Sequence, residues 1–202
     1  MEEKTKTPQQ ILEVIISQLK LLHNDTAVLC VDCQNGFTER CLSELPVEGT
    51  DENWIREVNA FLDLMKKNNF KIIASKDDHP ENHESFKIWP PHCIKGTYGN
   101  QLFIDNYDHI ILKGQDEDSD SYSAFYSDIN KKIESGLDKI LKDYKIKNLI
   151  ILGLAGDVCV IATIEDALKR GYKIFPIKEY IKSVNKKDIK EICEEKFGKI
   201  IV

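Results

Sequence analysis

The chain has 202 residues, of which 42% are hydrophobic, and a formal net charge of -6. A chain of this length and composition can bury one ordinary globular core, so we expect a single domain. Its lysines and arginines are scattered among the acids, which leaves no basic footprint for nucleic acid and no polybasic patch for a membrane; a small molecule or a protein is the expected partner.

The chain begins with a polar stretch, MEEKTKTPQQ, that lacks the apolar core of a signal peptide. No window of the sequence approaches the length of a membrane span, so we expect a cytoplasmic protein, with the nucleus left open. Apolar residues recur at helical spacing from Pro8 to Leu22, which predicts a helix on the outside of the fold. We assign residues 1–24 to an N-terminal helical extension and residues 25–202 to one domain.

The first predicted strand runs from Thr26 to Val31, where TAVLCV forms a nearly continuous apolar run typical of a central parallel strand. Asp32 closes this strand, and open α/β sheets bind their ligands at the carboxyl ends of strands. An aspartate at this position can form a turn or cap a helix, or it can serve as a general base. The sequence leaves these roles open.

A candidate metal site follows the second strand. A helix from Asn53 to Asn69 and a strand from Phe70 to Ala74 complete a βαβ unit. The next segment, Ser75 to Phe103, is irregular, and its length and aromatic residues indicate a functional loop. It contains four side chains suited to zinc or iron: Asp77, His79, His83 and His92. They predict one divalent ion with open positions, although loop histidines can also cap turns and bind nothing.

A further strand is predicted from Tyr107 to Leu112, and Lys113 ends it just as Asp32 ends the first strand. The segment after it, QDEDSDSYSAFYSD, is acidic and rich in serine. We predict that it is a surface loop that returns to the site at Tyr122 and Phe125.

The segment Gly153 to Tyr172 carries the candidate nucleophile. It follows a predicted helix from Ile129 to Tyr144 and a buried strand from Asn148 to Leu152. The strand turns into a helix at Asp157, which places Cys159 in the first helical turn. Free backbone N–H groups and the helix dipole stabilise an anion there, which favours a nucleophilic thiolate and an oxyanion hole. A small residue that packs the helix onto the sheet is the alternative.

The last predicted elements are strands from Lys173 to Ile177 and from Lys199 to Val202, with a helix from Lys186 to Phe197 between them. Strands and helices alternate throughout, so we predict a three-layer α/β fold with a mainly parallel central sheet and helices on both faces. This topology brings four polar side chains to one edge of the sheet: Asp32, Asp77, Lys113 and Cys159.

Five motifs in the chain resemble those of the isochorismatase-like cysteine hydrolases, and within them the nicotinamidases. They are VDCQNGF from Val31, KDDHPENHESF from Lys76, WPPHCIKGTYG from Trp89, LKG with the later YSAF, and GLAGDVCVIATIEDAL from Gly153. The resemblance covers roughly residues 26–177 and implies the isochorismatase-like, Rossmann-like fold. It also implies an amidohydrolase that converts nicotinamide to nicotinic acid and ammonia, in NAD salvage, by cleaving a linear amide C–N bond.

The resemblance further implies roles for individual residues. The family's catalytic set falls on Asp32, Lys113 and Cys159. Its oxyanion hole falls on the backbone N–H groups of Ala155 and Cys159, beside a cis peptide bond between Leu154 and Ala155. A ring-binding slot and a metal site are implied by the remaining matches: Phe37, Trp89 and Tyr122 for the flat pyridine, and Asp77, His79, His83 and His92 for one zinc or iron ion.

Two positions depart from the family pattern. Gly36 stands where an aspartate is usual, and Gly156 stands where a threonine is usual, so the chain lacks a carboxylate at the first position and a hydroxyl at the second. The extension through Asn24 and the insert from Gln115 to Ser121 also lie outside the pattern, and the sequence gives neither a function.

Other functions stay open at this stage. An amidase or hydrolase for another small substrate is the nearest alternative, but such family members generally lack the histidine set. The spacing Cys30-x-x-Cys33 is shared with redox and zinc sites, although side chains alternate in direction along a strand, which argues against paired thiols here. The six cysteines of an intracellular chain are more typical of free thiols or metal ligands than of disulfides. A silent binding module would not need Asp32, Lys113 and Cys159 together. Metal identity and oligomeric state, including a homo-oligomer, are left open.

Overall fold

The computed structural model describes residues 6–198. Its strands and helices are α1 Pro8–Glu13, β1 Thr26–Val31, α2 Glu52–Lys67, β2 Lys71–Asp77, β3 His109–Lys113, α3 Leu137–Asp143, β4 Asn148–Gly153, α4 Ile161–Lys169, β5 Lys173–Ile181 and α5 Ile189–Phe197. Turns of π-helix continue α1 over Val14–Gln18 and precede α4 over Gly156–Val160, and short 3₁₀ turns lie at Asn35–Phe37 and Glu84–Lys87.

The central sheet positions the candidate site. Within residues 6–198 it has five parallel strands in the order β3-β2-β1-β4-β5. The chain adds β2 and β3 on one side of β1 and then crosses over to add β4 and β5 on the other, so the strand order reverses between β1 and β4. Sheets of this kind bind ligands in the crevice at the carboxyl ends of the two strands where the order reverses.

Both faces of the sheet are covered, which confirms the predicted three-layer α/β fold. On one face, Val28 and Cys30 of β1 lie in a core with the apolar side chains of α1 and α2. On the other face, Ala27, Leu29 and Val31 lie in a core with side chains of α3, α4 and α5. The apolar run of β1 is continuous because both of its faces are buried.

The helix predicted from Ile129 to Tyr144 is wrong in its first half, because α3 begins only at Leu137. Asp128 accepts hydrogen bonds from the backbone N–H groups of residues 132 and 133 through its side chain, at 2.8 and 2.6 Å, and so replaces helical hydrogen bonding with a turn. Ile133, inside the predicted helix, is 58% exposed. Gly136, with φ of 90°, then precedes the helix.

Other boundaries differ by a few residues. The predicted strand that ended at Ala74 continues as β2 through Asp77, and the strand that ended at Ile177 continues as β5 through Ile181. The N-terminal helix ends at Gln18 rather than Leu22. The strand predicted at residues 199–202 lies outside the described residues. Across residues 6–198, no helix is both long and apolar enough to cross a membrane.

Candidate active site

The carboxyl ends of four parallel strands bring the four predicted polar residues together. Asp32 follows β1, Asp77 is the last residue of β2, and Lys113 is the last residue of β3. Cys159 lies in the π-helical turn after β4, at the point where the strand order reverses. All four side chains are buried.

Lys113 is the centre of this cluster. Its Nζ lies 2.9 Å from Asp32 Oδ2 and 3.9 Å from Cys159 Sγ, and it donates to the carbonyl oxygen of Ser121 at 3.0 Å. It also forms an ion pair with Asp77. One buried ammonium therefore neutralises part of the charge of two buried carboxylates, and these carboxylates raise the pKa of Lys113 well above its ordinary value despite the opposing effect of burial.

Asp32 is held in one orientation, with one oxygen bound by Ser75 and the other beside Lys113. Its backbone is left-handed, with φ of 47°, and Ser75 fixes it by donating its hydroxyl to Oδ1 at 2.7 Å and accepting the Asp32 N–H at 3.2 Å. Oδ2 forms the buried ion pair with Lys113 Nζ at 2.9 Å. Burial raises the pKa of Asp32, and Lys113 opposes that change. This oxygen can accept a proton from a neighbouring group.

Cys159 corrects one expectation from the sequence. Its position in a helical N-terminal turn favoured a thiolate, but burial raises the pKa of Cys159 well above its ordinary value. Lys113 lowers that pKa, whereas Asp32 and Asp77 raise it further. A thiolate here would be a third buried anion beside one ammonium, so the resting side chain is a thiol that needs a base.

Three of the predicted metal ligands form a group suited to a cation. Ligand atoms of Asp77, His79 and His92 lie within 4.8 Å of one another, and all three residues are buried. The Nδ1 atom of His79 is 2.9 Å from the carbonyl oxygen of Gly114, and that of His92 is 2.7 Å from the carbonyl oxygen of Pro90. Such bonds orient histidine ligands in metal sites and leave Nε2 free, so this donor set fits a divalent transition metal.

The fourth predicted ligand, His83, belongs to a different group. Its ring stacks on His79 with the centroids 3.9 Å apart, and its nitrogens are engaged by Ser85 Oγ at 2.7 Å and by the carbonyl oxygen of Ser119 at 3.1 Å. A second cluster of ligand atoms consists of His79, His83 and Asp120. Asp120 comes from the insert to which the sequence gave no function.

A cavity opens beside Cys159 and the histidines, with a volume of about 140 Å³. A dry cavity of about 150 Å³ is large enough for benzene, so this space suits a single six-membered ring. All three predicted ring-binding residues line it: Phe37, Trp89 and Tyr122. The indole N–H of Trp89 lies 3.4 Å from the hydroxyl oxygen of Tyr122.

The turn before Cys159 has the backbone form that the resemblance implied. The peptide bond between Leu154 and Ala155 is cis. Ala155 and Cys159 both line the cavity, so a carbonyl group held there can approach their backbone. In contrast, Phe125, which was predicted to return to the site, is fully buried in the core that α3 and α4 share.

Several residues that shape the site carried no signal in the sequence. The Gln34 amide accepts the Asp77 N–H and donates to the Asp77 carbonyl oxygen, both at 2.8 Å, and so holds the end of β2. Ser75 anchors Asp32 from the neighbouring strand. The paired residues are 43 positions apart in the sequence and meet because β1 and β2 lie side by side in a fixed register. Only a prediction of strand pairing could have found these contacts.

The Cys30 and Cys33 thiols lie closer than strand alternation predicts. The left-handed backbone of Asp32 breaks the alternation, so both side chains enter the same core. Both are free thiols with no exposed surface. Burial, followed by a hydrogen bond with Cys30, raises the pKa of Cys33 well above its ordinary value, which disfavours the thiolate needed by a metal or redox site.

Acid should destabilise the metal-free protein as His79 becomes protonated. Burial lowers the pKa of His79 to about 4, from an ordinary value of 6.5. Between these values the unfolded chain binds the proton and the folded chain does not, so the free energy of unfolding should fall as the pH drops from 6.5 towards 4. Urea unfolding of the wild type and of His79→Gln measures this dependence, and an identical dependence in both proteins would contradict the assignment.

Comparison with known proteins places these residues in a family. A family model described as an isochorismatase domain matches residues 26–194. The nicotinamidase of Escherichia coli is 34% identical over 182 residues, covering 79% of this chain and 84% of that protein. The family-model match, residues 26–194, contains β1 to β5 and therefore every candidate site residue named above.

Two solved structures have the same fold over most of their length. The pyrazinamidase of Pyrococcus horikoshii, determined in complex with zinc, is 33% identical with a TM-score of 0.74, covering 85% of this chain and 93% of that one. PnC1 of L. infantum, determined in complex with nicotinate, is 31% identical with a TM-score of 0.73, covering 81% and 84%. The parallel sheet, the buried Asp-Lys-Cys cluster and the matched sequence agree, and the chain belongs to the isochorismatase family.

Proposed function

We propose that this chain is a nicotinamidase, which hydrolyses nicotinamide to nicotinic acid and ammonia through a thioester on Cys159. One observation carries the proposal: a buried cluster of Asp32, Lys113 and Cys159 adjoins a cavity that is the size of one aromatic ring. The similarity to the nicotinamidase of Escherichia coli and to PnC1 with its bound nicotinate supports this substrate.

Asp32 is the general base and then the general acid. It accepts the thiol proton of Cys159 as sulfur attacks the amide carbon, so that a C–S bond forms and the carbonyl electron pair moves to oxygen. It then passes that proton to the amide nitrogen as the C–N bond breaks and ammonia leaves. Water then hydrolyses the thioester by the reverse steps. Asp32 takes a proton from the water, the water oxygen bonds to the carbonyl carbon, and the sulfur leaves and recovers the proton from Asp32.

Lys113 stabilises the negative charges that form during this reaction. Its ammonium lies 2.9 Å from the base and 3.9 Å from the sulfur, so it favours the ionised carboxylate before attack and the negative charge that develops on sulfur. Because the cluster is buried, these interactions act in a low dielectric and are stronger than in water.

Backbone and aromatic groups orient the substrate. We assign the N–H groups of Ala155 and Cys159 to the oxyanion of the tetrahedral intermediate. The pyridine ring lies between Phe37 and Trp89, with Tyr122 closing the slot. Fixing the ring in this way holds the amide carbon next to sulfur, which converts binding energy into a productive orientation.

A divalent transition metal, zinc or iron, is held by Asp77, His79 and His92. Support comes from their convergent ligand atoms and from the zinc in the pyrazinamidase of Pyrococcus horikoshii. When bound, the metal supplies a Lewis-acid position for the pyridine nitrogen or for a water molecule and so helps to orient the ring. His83 is the fourth ligand that the sequence motif implies, and it reaches the others only by releasing the carbonyl oxygen of Ser119.

Zinc affinity should depend more strongly on His92 than on His83. His92→Ala removes a ligand of the convergent group, so we expect its zinc affinity to fall strongly. His83→Ala removes a ring of the second group, so we expect a smaller loss. Titration of the metal-free variants with zinc against a chromophoric chelator compares them, and equal losses would show that His83 turns into the first group.

Residues 25–202 act as one hydrolase domain in this proposal, with residues 1–24 as an N-terminal extension whose helix from Pro8 packs on α2. The family match over residues 26–194 supports the first part. Burial of Ile11, Leu12 and Ile15 of the N-terminal helix in the core shared with α2 supports the second.

The purified protein with nicotinamide tests the function directly. We expect stoichiometric release of ammonia and nicotinic acid, measured by an enzyme-coupled ammonia assay and by chromatography. Benzamide, which has the same amide on a ring without the pyridine nitrogen, is the matched control and should be a poorer substrate. Absence of turnover with nicotinamide in zinc-loaded and iron-loaded protein would reject the proposal.

A further inference from the structure

The Glu44 carboxylate occupies a gap that two glycines create. A methyl group at Gly36 would overlap Glu44 Oε2, and a methyl group at Gly99 would overlap both carboxylate oxygens. Neither glycine has a positive φ, so the missing Cβ, and not an unusual backbone, is what each position supplies. The glycine that stands at position 36 therefore makes room for a carboxylate from residue 44.

Glu44 uses this position to hold one peptide group. Its Oε2 accepts the N–H of Cys93 at 2.8 Å. The backbone of Cys93 is left-handed, with φ of 48°, a conformation that is unfavourable for a residue with a Cβ. A conformation of this kind persists only where the surrounding structure holds it.

The Cys93 peptide in turn joins two candidate metal ligands. His92 directly precedes it, and the carbonyl oxygen of Cys93 accepts the backbone N–H of His79 at 3.3 Å and the Asn100 amide at 3.0 Å. The backbone of Cys93 therefore sets the distance between the rings of His79 and His92. Glu44 itself lines the cavity, as do His79 and His92.

We propose that Glu44 is a positioning residue, which fixes the left-handed Cys93 peptide and thereby holds His79 and His92 in the geometry for metal binding. This inference rests on the metal site of the proposed function. Partners that orient metal ligands typically contribute a factor of about 10 to 100 in metal affinity.

The test compares two substitutions of Glu44 with the wild type, and with the control variants described below, by two measurements on the metal-free protein. Zinc affinity is measured by competition with a chromophoric chelator, and the Cys93 and His79 amides are followed by hydrogen exchange in NMR spectra. Glu44→Ala should weaken zinc binding by about 10- to 100-fold and speed exchange of the Cys93 amide by roughly tenfold. Glu44→Gln retains an acceptor without the charge and should fall between Glu44→Ala and the wild type.

Glu48→Ala is the matched control, because Glu48 lies in the same loop and its carboxylate forms an exposed ion pair with Lys186 at 2.5 Å. It should leave both measurements unchanged. Gly36→Ala gives an independent test, since its methyl group should expel the Glu44 carboxylate. It should weaken zinc binding in the wild type and add less in the Glu44→Ala protein, where the new methyl group no longer meets the carboxylate and approaches only Cys93 Sγ and the Gly99 carbonyl oxygen, at 3.0 and 3.1 Å.

Three outcomes would overturn the proposal. If the wild type binds zinc and the Glu44→Ala protein binds it with the same affinity, Glu44 does not position the ligands, although the metal site itself stands. If Gly36→Ala and Glu44→Ala weaken zinc binding additively, they act by separate routes. If the wild type itself binds no zinc, the metal site of the proposed function fails and this inference fails with it.

Discussion

Replacing Cys159 by alanine should abolish hydrolysis of nicotinamide, with a loss in kcat on the order of 10⁶-fold, the size seen when a covalent nucleophile is removed from an acyl-transfer enzyme. The substitution removes only the sulfur, which lies 3.9 Å from Lys113 Nζ at the edge of the cavity. Without it no C–S bond can form, while the ring slot stays in place. Initial rates of ammonia release measure the loss, and nicotinate binding by calorimetry checks the slot.

Cys41→Ala is the control for this substitution. Cys41 is a partly exposed free thiol and does not line the cavity, so its loss should leave kcat near the wild-type value. If the Cys159→Ala protein released ammonia at the wild-type rate, hydrolysis would not proceed through a thioester.

Asp32→Asn should lower kcat by about 10²- to 10⁴-fold, the range of a general acid–base group. The amide keeps the shape of the side chain but cannot accept the proton of Cys159. Lys113 retains Asp77 as its buried counter-charge, so the cluster is not left with an unpaired ammonium. Steady-state kinetics measure the loss, and a kcat within a few-fold of the wild type would remove Asp32 from the mechanism.

A second measurement separates loss of the base from general damage. Because the Asp32 carboxylate raises the pKa of Cys159, its removal should lower that pKa and make the thiol easier to alkylate near neutral pH, even as turnover falls. Asp138→Asn makes the same change at a buried carboxylate on α3, which accepts the Tyr172 hydroxyl at 2.9 Å and, like Asp32, is paired with a lysine, here Lys142 at 2.6 Å. It should alter neither property.

Sequence patterns correctly predicted strands that are buried on both faces. The run that forms β1 is apolar on both faces, so its ends and the position of Asp32 after it were predicted correctly. The segment from Ile129 to Ser135 has helical spacing, but Asp128 and the glycine at position 136 make it a turn. Such local side-chain bonds compete with a helix and are invisible to apolar periodicity.

The residues that form the site were easier to predict from the sequence than their protonation states and contacts. The helical position of Cys159 indicates a thiolate, whereas burial raises its pKa, and two carboxylates at the ends of β1 and β2, far away in the sequence, raise it further. The four candidate metal ligands lie in one loop, within two neighbouring motifs, yet the ring of His83 stacks on His79 and its Nε2 contacts the carbonyl oxygen of Ser119. Glu44 carried no signal at all, because its role depends on glycines at positions 36 and 99.

Mass spectrometry of the intermediate tests the central claim most directly. Zinc-loaded protein is mixed with saturating nicotinamide, quenched with acid within the first turnover, and digested. We expect a nicotinoyl group on the peptide that contains Cys159, on no other cysteine peptide, and absent from protein quenched without substrate. Rapid release of nicotinic acid without acylation of Cys159, in a quench series fast enough to resolve the first turnover, would contradict the covalent mechanism.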